Sequence, residues 1–487
     1  MKNLQDILYK VNIVSVHGTT DQVIEAVVFD SRKVVERSAF VAVQGVHADG
    51  HAFIEKAILQ GAVAIICERL PEKRVEQITY VQVKDSSVAL AYMATNYFDN
   101  PSQKITLVGI TGTNGKTTTT TLLHDLFTGF GHVCGLISTV VNKIGNREIP
   151  STHTTPDPVE LNRLLSEMVN EDCRYCFMEV SSHAVHQHRI TGLEYKLAAF
   201  TNITHDHLDY HKTFKDYILA KKAFFDQLPA SAIAVINIDD ANGDIMVQNT
   251  KAKVRRLALL TLADYKAKII ENSFSGLVLS INGHEVYTHL IGGFNAYNLL
   301  TVYAVAVELG YQPLDVLVGI SSLKSVEGRF QYFNSDKKIT AIVDYAHTPD
   351  ALKNVLGTIQ SVRTRNEQVI TIVGCGGDRD RTKRPVMAAI AADMSDRVIL
   401  TSDNPRSENP DEIIREMQTG VPAERYQRVL SITNRAEAIK VACTLAQPGD
   451  ILLIAGKGHE KYQEINGVKH PFDDFETVKK TLKSLQK

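Results

Sequence analysis

Residues Gly109-Ile-Thr-Gly112-Thr-Asn-Gly115-Lys116-Thr117 decide how this chain folds. They follow Ile105-Thr-Leu-Val-Gly-Ile110, a β-branched apolar run that reads as a buried parallel strand, and they open a helical stretch over Lys116–Phe130. A glycine-rich turn between a buried strand and a helix is what a phosphate loop requires. Its glycines let backbone N–H groups turn inward around an anion, and the helix N-terminus adds a positive dipole end. In that setting Lys116 is expected to pair with β- and γ-phosphates, and the Thr117 hydroxyl to bind Mg²⁺. The glycines fall as GxxGxxGKT rather than the strict GxxxxGK[ST], because position 110 is Ile.

Outward from the loop the chain keeps an α/β rhythm. Further buried strands are expected at Tyr175–Val180, Leu197–Thr201 and Ala232–Asn237, and a helix at Asn295–Leu309. Strands alternating with helices indicate a parallel, doubly wound sheet. Upstream, short strands at Ala26–Phe29, Ala39–Val43, Ala62–Cys67 and Tyr80–Val83 accompany helical stretches near Phe53–Leu59 and Val88–Phe98, and Asp99-Asn100-Pro101 punctuates the chain as a linker. Downstream of Gly328-Arg329-Phe330, strands are expected at Thr340–Asp344, Val369–Val373, Arg397–Thr401 and Asp450–Ile454, and helices at Pro349–Val362, Arg384–Met394, Pro410–Gln418 and Arg435–Ala446. The fold class is therefore α/β in three domains, as expected for 487 residues at roughly 150 per domain. A smaller N-terminal α/β domain spans 1–100, a central P-loop-type, mostly parallel doubly wound domain 101–330, and a C-terminal Rossmann-like α/β domain 331–487.

Composition narrows the function classes. Hydrophobic residues are 44%, charged residues 22% and the formal net charge is -2, so no global basic field argues for nucleic acid. No stretch approaches the roughly 20 apolar residues that span a bilayer. The first residues, Met1 to Val11, carry Lys2, Asp6 and Lys10 and lack a secretory apolar core. The six cysteines lie mostly inside apolar runs, as reduced core thiols do, and Cys173 and Cys176 have no second pair at zinc-ribbon spacing. A cytoplasmic monomer without nucleic-acid or membrane partners is expected. The histidines His183, His186, His188, His205, His207 and His211 tempt a zinc assignment, but no thiolate accompanies them and their spacing matches no zinc template.

The segment Thr111-Gly-Thr-Asn-Gly-Lys-Thr117 resembles the signature of the Mur ligase superfamily, which also includes folylpolyglutamate synthases. The resemblance extends to Glu179-Val-Ser-Ser-His183, Asn202-Ile-Thr-His-Asp-His207-Leu-Asp209-Tyr-His, Tyr217-Ile-Leu-Ala-Lys221, the pair Asn295 and Asn298, and Asp344-Tyr-Ala-His347-Thr-Pro-Asp350. Together these cover roughly residues 25 to 465 in the family's order.

That resemblance implies an ATP-dependent ligase that turns a carboxylate into an acyl phosphate and lets an amine displace the phosphate. It implies an ATP site of Gly112, Thr113, Asn114, Gly115, Lys116, Thr117 and Thr118, with Asn298 near adenine and Arg329 and Asp344 near phosphates and ribose. It implies two Mg²⁺ ions. Thr117 and Glu179 would hold one, and His207 and Lys221 the other, with Lys221 carbamylated because an ammonium cannot bind a cation. Lys116, Glu179, His207 and Lys221 are thereby the catalytic candidates. For a UDP-N-acetylmuramoyl-L-Ala-D-Glu substrate it points to Phe29, Ser31, Val46, His47, Ala48, His153, Thr154, Thr155, Ser181, Gln187 and Arg189.

In the third block, Asp403-Asn404-Pro405-Arg406 resembles the box of members that add meso-diaminopimelate, and lysine-adding members lack its arginine. Diaminopimelate is lysine with a second carboxylate at its far end. Arg406 with Arg379 can clamp that carboxylate, and Glu460 of Gly456-Lys-Gly-His-Glu460 can receive the distal ammonium, with Gly456 counted in the same site. Lys383 and Arg384 read as helix-start charges. The alternatives are a folylpolyglutamate synthase, a lysine-adding relative, a P-loop phosphotransferase or motor NTPase, and a non-catalytic nucleotide-binding regulator. The last would not need both Glu179 and Lys221.

Overall fold

The computed structural model describes residues 1–45, 48–204 and 208–487, with Leu208 and Asp209 described by backbone alone. Val46, His47 and His207 lie outside the described residues. The chain divides into two compact units, 1–257 with 304–310, and 258–303 with 311–487.

In the first unit the strand Thr106–Thr111 lies between Tyr175–Glu179 and Leu197–Phe200, parallel to both, with Ile110 opposite Glu179 and Ala199. Cys134–Ile137 adds on one side, and Ile233–Asn237 and Lys253–Ala258 on the other, all in parallel. The parallel run is buried on both faces because helices cover it, which accounts for its continuous apolar sequence. The chain winds to both sides of Thr106–Thr111, so the loop leaves the sheet at its switch point, where doubly wound sheets bind ligands. An antiparallel hairpin, Val141–Ile144 with Arg147–Pro150, extends the edge beyond Cys134–Ile137. Gly109 lets the strand pack tightly: a Cβ there would sit 2.6 Å from Phe224 Cζ and 2.8 Å from Tyr195 Cε1.

A smaller sheet in the same unit runs Ile13–His17, Thr79–Val83, Ala62–Cys67, Ser38–Val41, Ala26–Val28. It is parallel apart from its first strand. Helix Ser86–Tyr97, capped by Asp85, covers it.

The second unit holds a sheet in the order Gln331–Asn334, Thr340–Asp344, Ile451–Ala455, Val369–Val373, Arg397–Leu400, Val429–Ser431, parallel except for its first strand. Helices Pro349–Val362, Lys383–Met394 and Pro410–Gln418 pack on one face, and Arg435–Leu445 and Asp474–Ser484 on the other. It also contains an antiparallel meander, Tyr265–Ser273, Gly276–Ile281 and His284–Thr288. The expected α/β class with mostly parallel sheets holds in both units; the hairpin and the meander were not anticipated. All six cysteines are buried free thiols. Among the described residues no helix is long and apolar enough to cross a membrane.

Two arginines carry unusual structural weight. Arg435 and Asp474, both fully buried, pair through two hydrogen bonds of 2.8 and 2.7 Å. Asp474→Asn is expected to destabilise the protein by about 3–5 kcal/mol in urea unfolding, because it leaves a buried guanidinium uncompensated. Arg384 lies at the start of helix Lys383–Met394, as expected, and its side chain is fully buried, bonded to Glu408, Glu416 and the Gly376 carbonyl. It is a helix-start charge that also anchors the core.

Candidate active site

The phosphate loop is built by backbone strain and side-chain bracing together. Gly112 adopts φ +149°, and a Cβ on it would lie 1.9 Å from Thr201 Oγ1, so no other residue fits there. Asn202 braces the turn from the neighbouring strand end. Its carbonyl accepts from Thr113 N at 2.8 Å and its Oδ1 from Asn114 N at 3.0 Å. Helix Lys116–Gly129 starts with buried Thr117 and Thr118.

Two ammonium groups converge on this turn. Lys116 Nζ donates to the Gly112 and Thr113 carbonyls at 2.9 and 2.8 Å. Lys221, almost wholly buried on helix Phe214–Asp226, donates to the same Gly112 carbonyl at 2.8 Å. Tyr217, one turn earlier on that helix, meets the Thr113 hydroxyl at 3.0 Å. Two positive charges focused on one point of a glycine turn suit a polyanionic ligand.

Glu179 ends its strand fully buried. Thr139 N donates to its Oε1 at 2.7 Å, and the Thr139 hydroxyl lies 3.2 Å from Oε2 and 3.0 Å from the Thr154 hydroxyl. A buried carboxylate with no ion-pair partner among the described residues is costly unless a cation joins it. With the buried Thr117 hydroxyl it offers the hard oxygen donors that Mg²⁺ takes. No cluster of three or more His, Cys, Asp or Glu side chains able to hold a metal occurs among the described residues.

A polar ledge continues from Glu179. The Thr155 hydroxyl donates to the Glu179 carbonyl at 2.8 Å and accepts from Ser181 N at 3.1 Å. Ser181 caps helix Ser182–His186. Arg189 donates to the Thr155 carbonyl at 2.8 Å and, through two nitrogens, to Gln187 Oε1 at 2.9 and 2.6 Å. Among the described residues its hydrogen-bond partners are all neutral oxygens; burial lowers its pKa, and the nearby Asp157 opposes the shift. His153 is exposed, Phe29 half-buried, Ser31 buried at the start of the turn Ser31–Lys33, and Ala48 exposed with its carbonyl accepting from Gly45 N at 2.9 Å.

The remaining candidates lie in the second unit. Buried Asn298 donates to Asn295 Oδ1 at 2.9 Å. Asp344 accepts from Phe330 N at 2.6 Å and Ala346 N at 2.8 Å; burial pushes its carboxyl up while Arg329 opposes the shift. Arg329 lies over the Tyr345 ring, 4.8 Å from its centroid.

The Asp403–Arg406 turn is tied to the loop carrying Arg379. Gly377 N donates to the Asn404 carbonyl at 2.9 Å, and Arg406 Nη1 to the Gly377 carbonyl at 2.8 Å. Arg379 itself is exposed. Pro405 is buried between them, and Gly456 N donates to the Asp344 carbonyl at 3.1 Å. Arg406 has φ +50°, a left-handed conformation that costs a non-glycine residue about 1–2 kcal/mol and often marks functional positions. It is held there by the hairpin Tyr462–Ile465 with Val468–Pro471: Arg406 N donates to the Glu464 carbonyl at 3.1 Å, and Asn466 N to the Arg406 carbonyl at 2.7 Å. Asn404 Nδ2 donates to Glu460 Oε2 at 2.7 Å, so Asn404, Arg406 and Glu460 form one cluster.

Several members of these networks escaped the sequence: Thr139 on Glu179, Tyr210 bonded to Gln187 at 3.0 Å, Glu464, and the fully buried Lys457. Only Lys457 had a signal, its place inside the Gly456–Glu460 motif.

A glycine turn that gathers two lysines, beside a buried carboxylate, suits a nucleotide's polyphosphate, and the family comparison names the class of protein. Residues 23–98 match the Mur ligase family catalytic domain, 110–306 the Mur ligase middle domain, and 328–458 the Mur ligase glutamate ligase domain. The chain belongs to the Mur ligase family, ATP-dependent enzymes that form amide bonds. It is 55% identical to the UDP-N-acetylmuramoyl-L-alanyl-D-glutamate--2,6-diaminopimelate ligase of Cytophaga hutchinsonii over 99% of this chain and 100% of that one. The enzyme of the same name from Bacteroides thetaiotaomicron is 53% identical over 98% and 99% of the two chains. A solved structure of a ligase with that name, 33% identical, covers 100% of this chain and 99% of its own with a TM-score of 0.72.

Proposed function

We propose that this chain joins meso-2,6-diaminopimelate to the D-glutamate γ-carboxylate of UDP-N-acetylmuramoyl-L-Ala-D-Glu, with ATP cleaved to ADP and phosphate, in peptidoglycan synthesis. The observation that carries the choice of amino acid is the cluster of Asn404, Arg406 and Glu460. It offers a guanidinium for the second carboxylate and a carboxylate for the second ammonium, the two groups by which this substrate differs from simple apolar amino acids.

The γ-carboxylate oxygen attacks the γ-phosphorus, the bond to the β–γ bridging oxygen breaks, and ADP leaves. The amine nitrogen then attacks the acyl phosphate carbon, phosphate departs with its oxygen, and the nitrogen loses its extra proton. Lys116 and the loop N–H groups stabilise charge on the transferring phosphoryl group. Arg189, Thr155 and Ser181 hold anionic and peptide parts of the nucleotide substrate, with Phe29, Ser31, Val46, His47, Ala48, His153, Thr154 and Gln187 completing that site. Asn298, Arg329 and Asp344 serve the nucleotide. Thr117 and Glu179 would hold one Mg²⁺ ion and His207 with a carbamylated Lys221 a second, and ions held there would supply the charge neutralisation that lets carboxylate and phosphate meet. The three blocks 1–100, 101–330 and 331–487 divide the work into UDP-substrate, ATP and amino-acid domains, in a cytoplasmic monomer.

Lys221→Ala is expected to lower kcat about 10²–10³-fold. A short-chain carboxylic acid should then restore part of it, since its carboxylate can replace the carbamate head. Kinetics showing no restoration at any acid concentration would argue for an ammonium role instead. The overall reaction is tested by phosphate release with ATP, Mg²⁺ and the UDP-muramoyl-dipeptide. Release with diaminopimelate and not with lysine is expected. Release with neither defeats the reading, and equal release with lysine defeats the amino-acid choice alone.

A further inference from the structure

Lys457 sits just past the strand Ile451–Ala455 with a side chain of 0% exposure. A lysine ammonium removed from water needs compensating charge and hydrogen bonds. Here Nζ lies 2.9 Å from Asn404 Oδ1, 3.2 Å from Glu460 Oε2 and 3.8 Å from Asp403 Oδ1.

The geometry fixes more than Lys457. Asn404 Oδ1 accepts both from Lys457 and from Glu464 N at 2.9 Å, which sets the amide orientation and turns its NH₂ to Glu460 Oε2. Glu460 Oε2 therefore receives two donors, while Oε1 carries no hydrogen bond among the described residues. The charges also leave a remainder. One ammonium faces the two carboxylates of Asp403 and Glu460, so this group is short of one positive charge. Nearby pairs leave that balance of charges unchanged: Arg406 faces Glu464, and Arg435, whose charge also reaches Asp403 and Glu460, is matched by Asp474.

We propose that Lys457 is a positioning residue for the amino-acid pocket. Directly and through Asn404 it locks Glu460 in one orientation with Oε1 open, and it sets a local charge that one further ammonium completes. The inference rests on the diaminopimelate reading and deepens it: discrimination for the substrate's second ammonium depends on a lysine that never touches substrate.

The test compares diaminopimelate with its analogue lacking the second amino group, using the full-length enzyme with ATP, Mg²⁺ and UDP-muramoyl-dipeptide. Wild type is expected to prefer diaminopimelate by about 10⁴-fold in kcat/KM. In Lys457→Met the preference should shrink by about 10–100-fold, with KM for ATP unchanged. A uniform loss on both substrates with the preference intact would assign Lys457 a merely structural role and overturn the proposal, as would no change at all. Should the methionine variant fail to fold, Lys457→Gln, which keeps a donor without the charge, gives the same readout. Wild type that does not use diaminopimelate would overturn the functional reading itself and this proposal with it, whereas failure in the variants alone leaves that reading standing.

Discussion

Lys116→Met is expected to reduce kcat by about 10³-fold while leaving the melting temperature close to that of the parent. The reason is where the charge is used. Lys116 Nζ donates to the Gly112 and Thr113 carbonyls of its own turn, at 2.9 and 2.8 Å, which holds the ammonium at the loop. A phosphoryl group in transfer carries charge that the resting substrate does not present in the same place, and a cation fixed at the loop stabilises that state preferentially. Methionine keeps the length and apolar stem and removes only the charge. Steady-state kinetics with calorimetric binding of ATP would separate the two effects: kcat should fall much further than nucleotide affinity. A fall of less than about tenfold would contradict the role assigned to Lys116.

Arg406→Ala should lower kcat/KM for diaminopimelate by about 10³–10⁴-fold. Activity with lysine, which has no second carboxylate, should scarcely change, so the preference between the two collapses. Arg406→Lys should recover only a fraction, because an ammonium cannot reproduce the planar two-point contact. The left-handed backbone at Arg406 adds a second consequence: Arg406→Gly relieves that strain as well as removing the guanidinium. A glycine variant at least as stable as wild type but equally impaired with diaminopimelate would show that the loss lies in recognition.

The architecture was legible wherever burial on both faces left an unbroken apolar run. Thr106–Thr111, Tyr175–Glu179, Leu197–Phe200 and Val369–Val373 all fall within a residue or two of their expected positions. The antiparallel pieces were missed although two of them carry a specific signal. Asn282-Gly283 and Asn466-Gly467 both have positive φ at each position, the dihedral signs of the tight turn that joins two antiparallel strands. Around Asn282 the alternation of Leu277, Leu279 and Ile281 with polar neighbours was also available. The second of these hairpins matters for chemistry, since it is the one that bonds the Arg406 backbone.

Candidate residues within contiguous motifs could be proposed from the chain, and the segments Gly112–Lys116 and Asp403–Arg406 both form turns, as a loop between strand and helix requires. Residues that act through distant partners could not. Arg384 meets Glu408 and Glu416 only after the third block folds, and Lys457 between two glycines looks like an exposed turn until its side chain is seen enclosed. Burial of a charge is decided by tertiary packing, which local patterning does not encode.

In the proposed reaction the loop around Lys116 delivers a phosphoryl group to a substrate carboxylate. Its most direct test uses UDP-muramoyl-dipeptide whose γ-carboxylate carries a heavy oxygen isotope, with mass analysis of the phosphate released during turnover. One labelled oxygen is expected to move from carboxylate to phosphate in each catalytic cycle; phosphate released without label during amide formation would contradict an acyl phosphate route.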